Sequence, residues 1–123
     1  ADELMALFES AEDDEEIRTV AITGAGPVFC AGFDDAVHPN LVESLAVLSK
    51  PTVAILNGDA LDEGLELAMG ADIRIAIEPA QFALTQPARG VMPHFGGTQR
   101  LPRLVGTANA LRMLLAGRSV SGW

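Results

Sequence analysis

The chain has 123 residues, of which 49% are hydrophobic and 20% are charged, a balance typical of a single soluble globular domain over residues 1–123. Eight Lys and Arg against 17 Asp and Glu give a formal net charge of −9, which repels phosphate backbones and argues against nucleic acid as the main partner. No apolar stretch approaches the roughly 20 residues that a membrane span needs. The acidic first residues resemble neither a secretory signal nor a transit peptide.

The first half of the chain predicts alternating helices and strands. Helical spacing of Leu and Phe predicts a helix over residues 3–11, and a β-branched run predicts a buried strand over 18–23 that ends in a glycine-rich loop. A second helix is expected over 41–50, with Asn40 as its N-cap, and a strand over 52–56 follows Pro51.

The second half continues this alternation. We predict a helix over 61–69 with Gly70 as its C-cap, a strand over 72–77 and a short strand over 81–84. Two helices over 98–105 and 107–116 are separated by Gly106, and residues 119–123 begin another element. Because helices and strands alternate, the predicted class is α/β, with parallel strands joined by right-handed crossovers.

The lone Cys30 cannot form an internal disulfide, which fits a reducing compartment, and it is expected to be a small buried apolar residue. A cytoplasmic location follows. No spacing of His, Cys and carboxylates predicts a metal site, since the pair Asp34 and Asp35 alone is too weak a signal. The glycines after the first strand do not complete a dinucleotide fingerprint.

Three segments, in this order, resemble the enoyl-CoA hydratase/isomerase (crotonase) family: VAITGAGPVFCAGFD at 20–34, KPTVAILNGDALDEGLELA at 50–68 and GVMPHFGGTQRLPRLVG at 90–106. The resemblance implies a crotonase-like ββα spiral core. It also implies that family elements before the first helix and after residue 123 are missing, so that the chain is an incomplete domain or a fragment. By the same resemblance we expect an acyl-CoA substrate, no other cofactor than the coenzyme A of that substrate, and a homotrimer or dimer of trimers.

The resemblance places an oxyanion hole at the backbone NH groups of Phe33 and Glu63. Preorganised amides at strand-to-helix loops stabilise the negative charge of a thioester enolate. Gly32 and Gly64 have the alternative role of permitting tight turns. The expected substrate-binding residues are Ala31, Gly32, Phe33, Asp34, Leu61 and Gly64.

The second loop departs from the family pattern, because Asp62 and Glu63 stand where the family has glycines. An amide survives any side chain except proline, but carboxylates beside an enolate oppose its charge unless they face solvent or are protonated.

Glu66 matches one catalytic glutamate of the family and lies one helical turn beyond Glu63, so the two carboxylates can interact. Its alternative role is that of an exposed helical glutamate. Gln86 falls on the position of the second catalytic glutamate, and an amide cannot exchange a proton at neutral pH. One-glutamate chemistry such as double-bond isomerisation is therefore favoured over two-carboxylate hydration.

The two histidines, His38 and His94, are expected to be packing or surface residues. Two other functions stay open at this point. One is a catalytically silent subunit that binds acyl-CoA or a partner chain, which Asp62, Glu63 and Gln86 favour. The other is an excised fragment without activity of its own.

Overall fold

The computed structural model describes residues 2–34 and 39–122. Two three-stranded sheets and five helices make up this part of the chain. The helices are α1 Asp2–Asp13, α2 Leu41–Ala46, α3 Glu63–Gly70, α4 Gly97–Val105 and α5 Thr107–Ala116. The strands are β1 Val20–Thr23, β2 Thr52–Leu56, β3 Ala60–Leu61, β4 Ile73–Ala76, β5 Gln81–Ala83 and β6 Val120–Ser121, and a 3-10 turn covers Gln86–Arg89.

The first sheet has the order β1-β2-β4, and all its strands are parallel. Its register places Ile22 beside Ala54 and Ala54 beside Arg74. Side chains alternate between the two faces of a strand. The face that carries Ala54 and Leu56 is covered by the helices, whereas Ile55 and Ile75 on the opposite face are exposed. The prediction that the first strand is buried is therefore wrong, because only one face of this sheet is covered.

The second sheet has the order β3-β5-β6, with β3 parallel and β6 antiparallel to β5. The prediction of parallel strands with packed helices holds for the first sheet and for one pair of the second. The two-residue strand β3 and the 3-10 turn were not predicted. Residues 119–123 were expected to begin an element, and that element is β6.

The core lies where α3 packs between α2 and α4. Glycine closes one of these contacts, because a Cβ at Gly70 would lie 2.9 Å from Val42 Cγ1. Every residue of α3 after Glu63 is buried. The helix at the centre of the molecule is therefore also the one that carries the predicted catalytic glutamate. None of the helices in residues 2–34 and 39–122 has the length and apolar character to cross a membrane.

Several predicted boundaries shift. Helix α2 ends at Ala46 and not at residue 50, and α3 begins at Glu63 and not at residue 61. Gly70 is the last residue of α3, and Ala71 takes the C-cap position. Asn40 holds the predicted N-cap position, where its carbonyl accepts the Ser44 amide at 2.7 Å, but its side chain makes no capping bond to the helix.

Candidate active site

The loop after β1 and the start of α3 lie side by side. Cys30 forms a parallel bridge with Ala60, and its carbonyl accepts the Leu61 amide at 2.9 Å. Gly64 permits this approach, because a Cβ there would lie 2.2 Å from the Cys30 carbonyl oxygen. Hydrogen bonding and close packing thus hold the two predicted oxyanion loops together.

Phe33 and Glu63 line one cavity of about 510 Å³. Glu63 is the first residue of α3, where helical amides lack intrahelical acceptors. Neither its amide nor that of Phe33 is hydrogen-bonded to another residue of the ranges 2–34 and 39–122. The two residues therefore share one cavity, and neither amide has an acceptor among the described residues. The cavity is lined by Ala31, Gly32, Phe33, Asp34, Asp62, Glu63, Arg89, Val91 and His94.

Four of the six predicted substrate-binding residues, Ala31 to Asp34, lie on this wall. Leu61 and Gly64 do not line it and instead join the two loops. Gly32 has a φ of +132°, a conformation that side chains disfavour, and a Cβ on it would lie 3.1 Å from Glu63 Oε2. The turn-permitting role proposed for Gly32 agrees with its conformation, whereas Gly64 lies within α3 and permits close packing against Cys30 and not a turn.

Glu66 is fully buried, with 0% of its surface exposed. Its Oε1 accepts the amides of Phe95 at 2.9 Å and Gly97 at 2.7 Å, and its Oε2 lies 3.2 Å from Gln86 Nε2. The alternative of an exposed helical glutamate is wrong. The predicted pair of Glu66 and Gln86 is in direct contact, although neither residue lines the cavity.

Burial raises the pKa of the Glu66 carboxyl above its ordinary value. The amides of Gly97 and Phe95 and the nearby His94 oppose this rise, whereas the neighbouring Glu63 adds to it. A carboxyl with a raised pKa is suited to exchange protons closer to neutral pH.

Gln86 is also fully buried. Its Nε2 faces the Glu66 carboxylate, and its Oε1 has no hydrogen-bond partner among the described residues. The amide can therefore orient a group near Glu66 but cannot supply a second proton.

Asp62 turns inward. Its carboxylate binds Thr85 and lies 3.0 Å from Arg89 Nη2, so its charge is paired and not directed freely at the cavity. The sequence does not indicate this arrangement or the role of the Phe95 and Gly97 amides in holding Glu66. These contacts join residues far apart in the chain, and no local motif indicates them.

The remaining predicted residues have simple surroundings. His94 is exposed, and its ring lies 4.4 Å from that of Phe95, in agreement with a surface histidine. His38 and Asp35 lie outside the described residues. Cys30 is half-buried and not fully buried as predicted, and burial raises the pKa of its thiol, which disfavours the reactive thiolate. No group of three metal-binding side chains occurs within the described ranges.

Comparison with known proteins identifies the family of the chain. The sequence model of the enoyl-CoA hydratase/isomerase family matches residues 1–122. A probable enoyl-CoA hydratase of Bacillus subtilis is 38% identical over 98% of this chain and 53% of its own length. A peroxisomal fatty acid beta-oxidation multifunctional protein of rice is 38% identical over 96% of this chain and 19% of its own length.

Solved structures share the fold of this chain. The crystal structure of an enoyl-CoA hydratase from Bacillus anthracis superposes with a TM-score of 0.92 at 34% identity, over 98% of this chain and 53% of that one. The chain spans about half the length of this protein and of the B. subtilis relative. The chain belongs to the enoyl-CoA hydratase/isomerase family.

Proposed function

We propose that the protein processes acyl-CoA thioesters as an enzyme of the hydratase/isomerase type. The observation that carries this proposal is the single cavity lined by both Phe33 and Glu63. Their amides have no partner among the described residues, and one of them belongs to the first turn of α3. A thioester oxygen placed between these amides would receive two hydrogen bonds and the favourable end of the helix dipole.

The proposed reaction passes through a thioester enolate. Removal of a proton from the carbon next to the thioester moves negative charge onto the carbonyl oxygen, which the two amides stabilise. Return of a proton at a different carbon shifts the double bond without any oxidant or second substrate. Coenzyme A takes part only as the carrier portion of the substrate.

Glu66 is the proposed acid and base, and Gln86 orients its neighbour without exchanging protons. A single carboxyl favours isomerisation of 3-enoyl-CoA over hydration of 2-enoyl-CoA, because hydration in this family uses two carboxyls. Glu66 is fully buried and does not line the cavity, so this role requires the cavity wall to open when substrate binds.

Turnover of 3-enoyl-CoA and 2-enoyl-CoA thioesters by the purified protein tests the proposal. We expect isomerisation to be the faster reaction, and Glu66→Gln to lower kcat by about 100-fold or more, as loss of an acid/base group typically does. Glu15→Gln changes an exposed glutamate outside the site and serves as the matched control. Equal turnover by Glu66→Gln and the wild type would show that Glu66 is a bystander.

A second candidate function is a catalytically silent subunit that binds acyl-CoA. It is favoured by Gln86 at a catalytic position and by a Glu66 carboxylate with hydrogen bonds on both oxygens. Calorimetry with CoA and an acyl-CoA separates binding from chemistry. If the wild type binds without turnover, restoring Glu63→Gly and Gln86→Glu should create hydratase activity, provided that the scaffold binds substrate productively. A chain that neither binds nor turns over would fit the excised-fragment hypothesis.

Assembly is proposed from the resemblance, and location from the lone Cys30, which fits a reducing compartment. We expect a homotrimer or a dimer of trimers in the cytoplasm, although relatives include a protein named as peroxisomal. Light scattering of the purified protein measures the assembly, and a monomer would contradict this expectation.

A further inference from the structure

Asp62 has an unusual backbone conformation. Its φ of 51° and ψ of −121° lie outside the regions that residues with a side chain ordinarily occupy. It is the one non-glycine residue with a positive φ in the described part of the chain. Such a conformation persists only where the surroundings hold it, and it occurs most often at functional sites.

The Asp62 carboxylate is held by two residues of the next segment. Its Oδ1 accepts hydrogen bonds from the amide and, at 2.9 Å, the hydroxyl of Thr85. Its Oδ2 lies 2.8 Å from Thr85 Oγ1 and 3.0 Å from Arg89 Nη2. The side chain is 8% exposed, whereas that of Arg89 is 61% exposed. A buried carboxylate with this many donors is fixed in one orientation.

The same residue is connected to three groups of the proposed reaction: the Glu63 amide, Glu66 and Gln86. Its peptide bond carries the amide of Glu63, a residue that lines the cavity, and its carbonyl accepts the Glu66 amide at 3.0 Å. Its own amide binds the Ala83 carbonyl at 2.8 Å. Thr85, which its carboxylate holds, directly precedes Gln86. The ψ angle of residue 62 sets the direction of the Glu63 amide. The bonds that hold the Asp62 carboxylate therefore also restrict the direction of that amide.

We propose that Asp62 is a positioning residue, whose bonds to Thr85 and Arg89 fix the Glu63 amide in the cavity and hold Gln86 against Glu66. The consequence for catalysis rests on the proposed function. The placement of Gln86 does not depend on that function and can be measured separately. Glycine at this position would adopt the same dihedral angles but would lack the carboxylate.

Three variants separate the contribution of the Asp62 side chain from that of its charge and from that of an unrelated ion pair. Asp62→Gly removes all four side-chain contacts, which come from the amide and hydroxyl of Thr85 and from Arg89. Asp62→Asn keeps an oxygen for Thr85 and loses the charge that faces Arg89. Glu43→Gln removes a different arginine–carboxylate pair, Glu43 with Arg100 at 3.0 Å, on a side chain that is 65% exposed and outside the site.

Steady-state kinetics with a 3-enoyl-CoA give the first readout. Misplacement of an oxyanion donor lowers the rate of chemistry more than it weakens binding, so we expect Asp62→Gly to lower kcat about 10- to 100-fold with little change in KM. Asp62→Asn should recover most of this loss, and Glu43→Gln should match the wild type. Rates are normalised to the folded fraction measured by circular dichroism, so a loss that only reflects unfolding does not count.

Hydrogen exchange of the Gln86 side-chain amide, followed by NMR, gives the second readout. This amide is buried and bonded to Glu66 in the wild type, and we expect it to exchange about tenfold faster or more in Asp62→Gly but not in Glu43→Gln. If the wild type lacks turnover on every thioester, the proposed function fails, and the exchange rate still decides the positioning role.

An unchanged exchange rate overturns the proposal, and so does an unchanged kcat in an active protein. Should Asp62→Gly fail to fold, Thr85→Val replaces it, because that change deletes only the hydroxyl contacts of the carboxylate. Faster Gln86 exchange and a lower kcat are then expected, and wild-type values of both overturn the proposal.

Discussion

Glu66 combines two features that rarely occur together, complete burial and an ionisable side chain. A buried carboxylate without partners is costly, and the amides of Phe95 and Gly97 together with the Gln86 side chain offset that cost. These donors favour the charged form, but desolvation outweighs them, so the pKa is raised. The native state therefore favours the protonated acid more than the unfolded chain does.

The raised pKa of Glu66 predicts how stability depends on pH. A group whose pKa is raised on folding stabilises the native state below its ordinary pKa, and that contribution is lost as pH rises through the raised value. Glu66→Gln resembles the neutral acid at every pH. We expect the variant to gain free energy of unfolding relative to the wild type as pH rises from 4 towards 8, with each tenfold difference in proton affinity between the native and unfolded states contributing about 1.4 kcal/mol. Urea denaturation at several pH values measures this difference.

The difference in free energy of unfolding between the variant and the wild type cancels the contributions of Glu12 and Asp72, whose pH dependence has the opposite sign. Hydrogen bonds from Ser49 and Thr52, respectively, lower the pKa values of these two carboxylates. A constant difference between Glu66→Gln and the wild type across this pH range would contradict a raised pKa at Glu66.

Gly97 offers a second test of how Glu66 is held. A Cβ at this position would lie 2.7 Å from Glu66 Oε1, so Gly97→Ala must push the carboxylate away from the two amides. We expect a loss of about 1–3 kcal/mol in the free energy of unfolding, in the range of overpacked cores, together with lower turnover. Gly26→Ala is the control, because nothing lies within 4 Å of its Cβ. Equal stability of the two variants would show that Glu66 moves aside without cost.

The sequence identified Glu66 and Gln86 as a pair through resemblance, but it could not predict their burial. The two amides that hold Glu66 come from residues 29 and 31 positions further along the chain. The inward turn of Asp62 likewise depends on Thr85, 23 positions away. Contacts of this kind arise from tertiary packing, and local patterns do not encode them.

At the scale of elements, the bounds of a helix or strand were predicted correctly where Pro, Gly or Asn residues mark its ends. Strand β2 was predicted with its observed bounds because Pro51 precedes it and Asn57-Gly58 follows it, and α5 because Gly106 separates it from α4. Helix α2 stops at Ala46, earlier than predicted, and Lys50 beyond it donates hydrogen bonds to the carbonyls of Ala11 and Asp14. Strand β3 was missed because only its pairing with β5 defines it.

The junction of the two loops depends on Gly64. An added Cβ would lie 2.2 Å from the Cys30 carbonyl oxygen and 2.7 Å from its carbon, and backbone atoms cannot rotate away as a side-chain end can. We expect Gly64→Ala to destabilise the protein by about 3 kcal/mol or more, towards the upper end of overpacking costs. Chemical denaturation measures the loss. A cost as small as that of Gly26→Ala would mean that the two loops are not held in contact at this residue.

At the scale of the molecule, the sequence predicted the α/β class and the resemblance predicted the crotonase core, but neither revealed which sheet face is open. Helices cover one face of the first sheet, while Ile73 is 52% and Ile75 58% exposed on the other. Continuous apolar strands are typical of sheets covered on both faces, and the strand over residues 18–23 was expected to be buried from its β-branched run. The apolar pattern indicates that these residues favour burial, but it does not indicate what covers them.

The overall charge predicts an unusual salt dependence of ligand binding. The protein carries a net charge of −9, and coenzyme A is a polyanion, so their long-range interaction is repulsive at low salt. The Debye length falls from about 30 Å at 0.01 M to about 8 Å at 0.15 M salt, which screens this repulsion.

We therefore expect the Kd of an acyl-CoA to fall about threefold or more as salt rises over that range, by weakening of the long-range repulsion. The matched ligand is the acyl thioester of pantetheine, which carries the same reactive group without the phosphates and should show little salt dependence. Isothermal calorimetry at three salt concentrations measures both. A Kd for acyl-CoA that rises with salt would instead indicate that local cations such as Arg89 dominate the encounter, because screening then weakens an attraction.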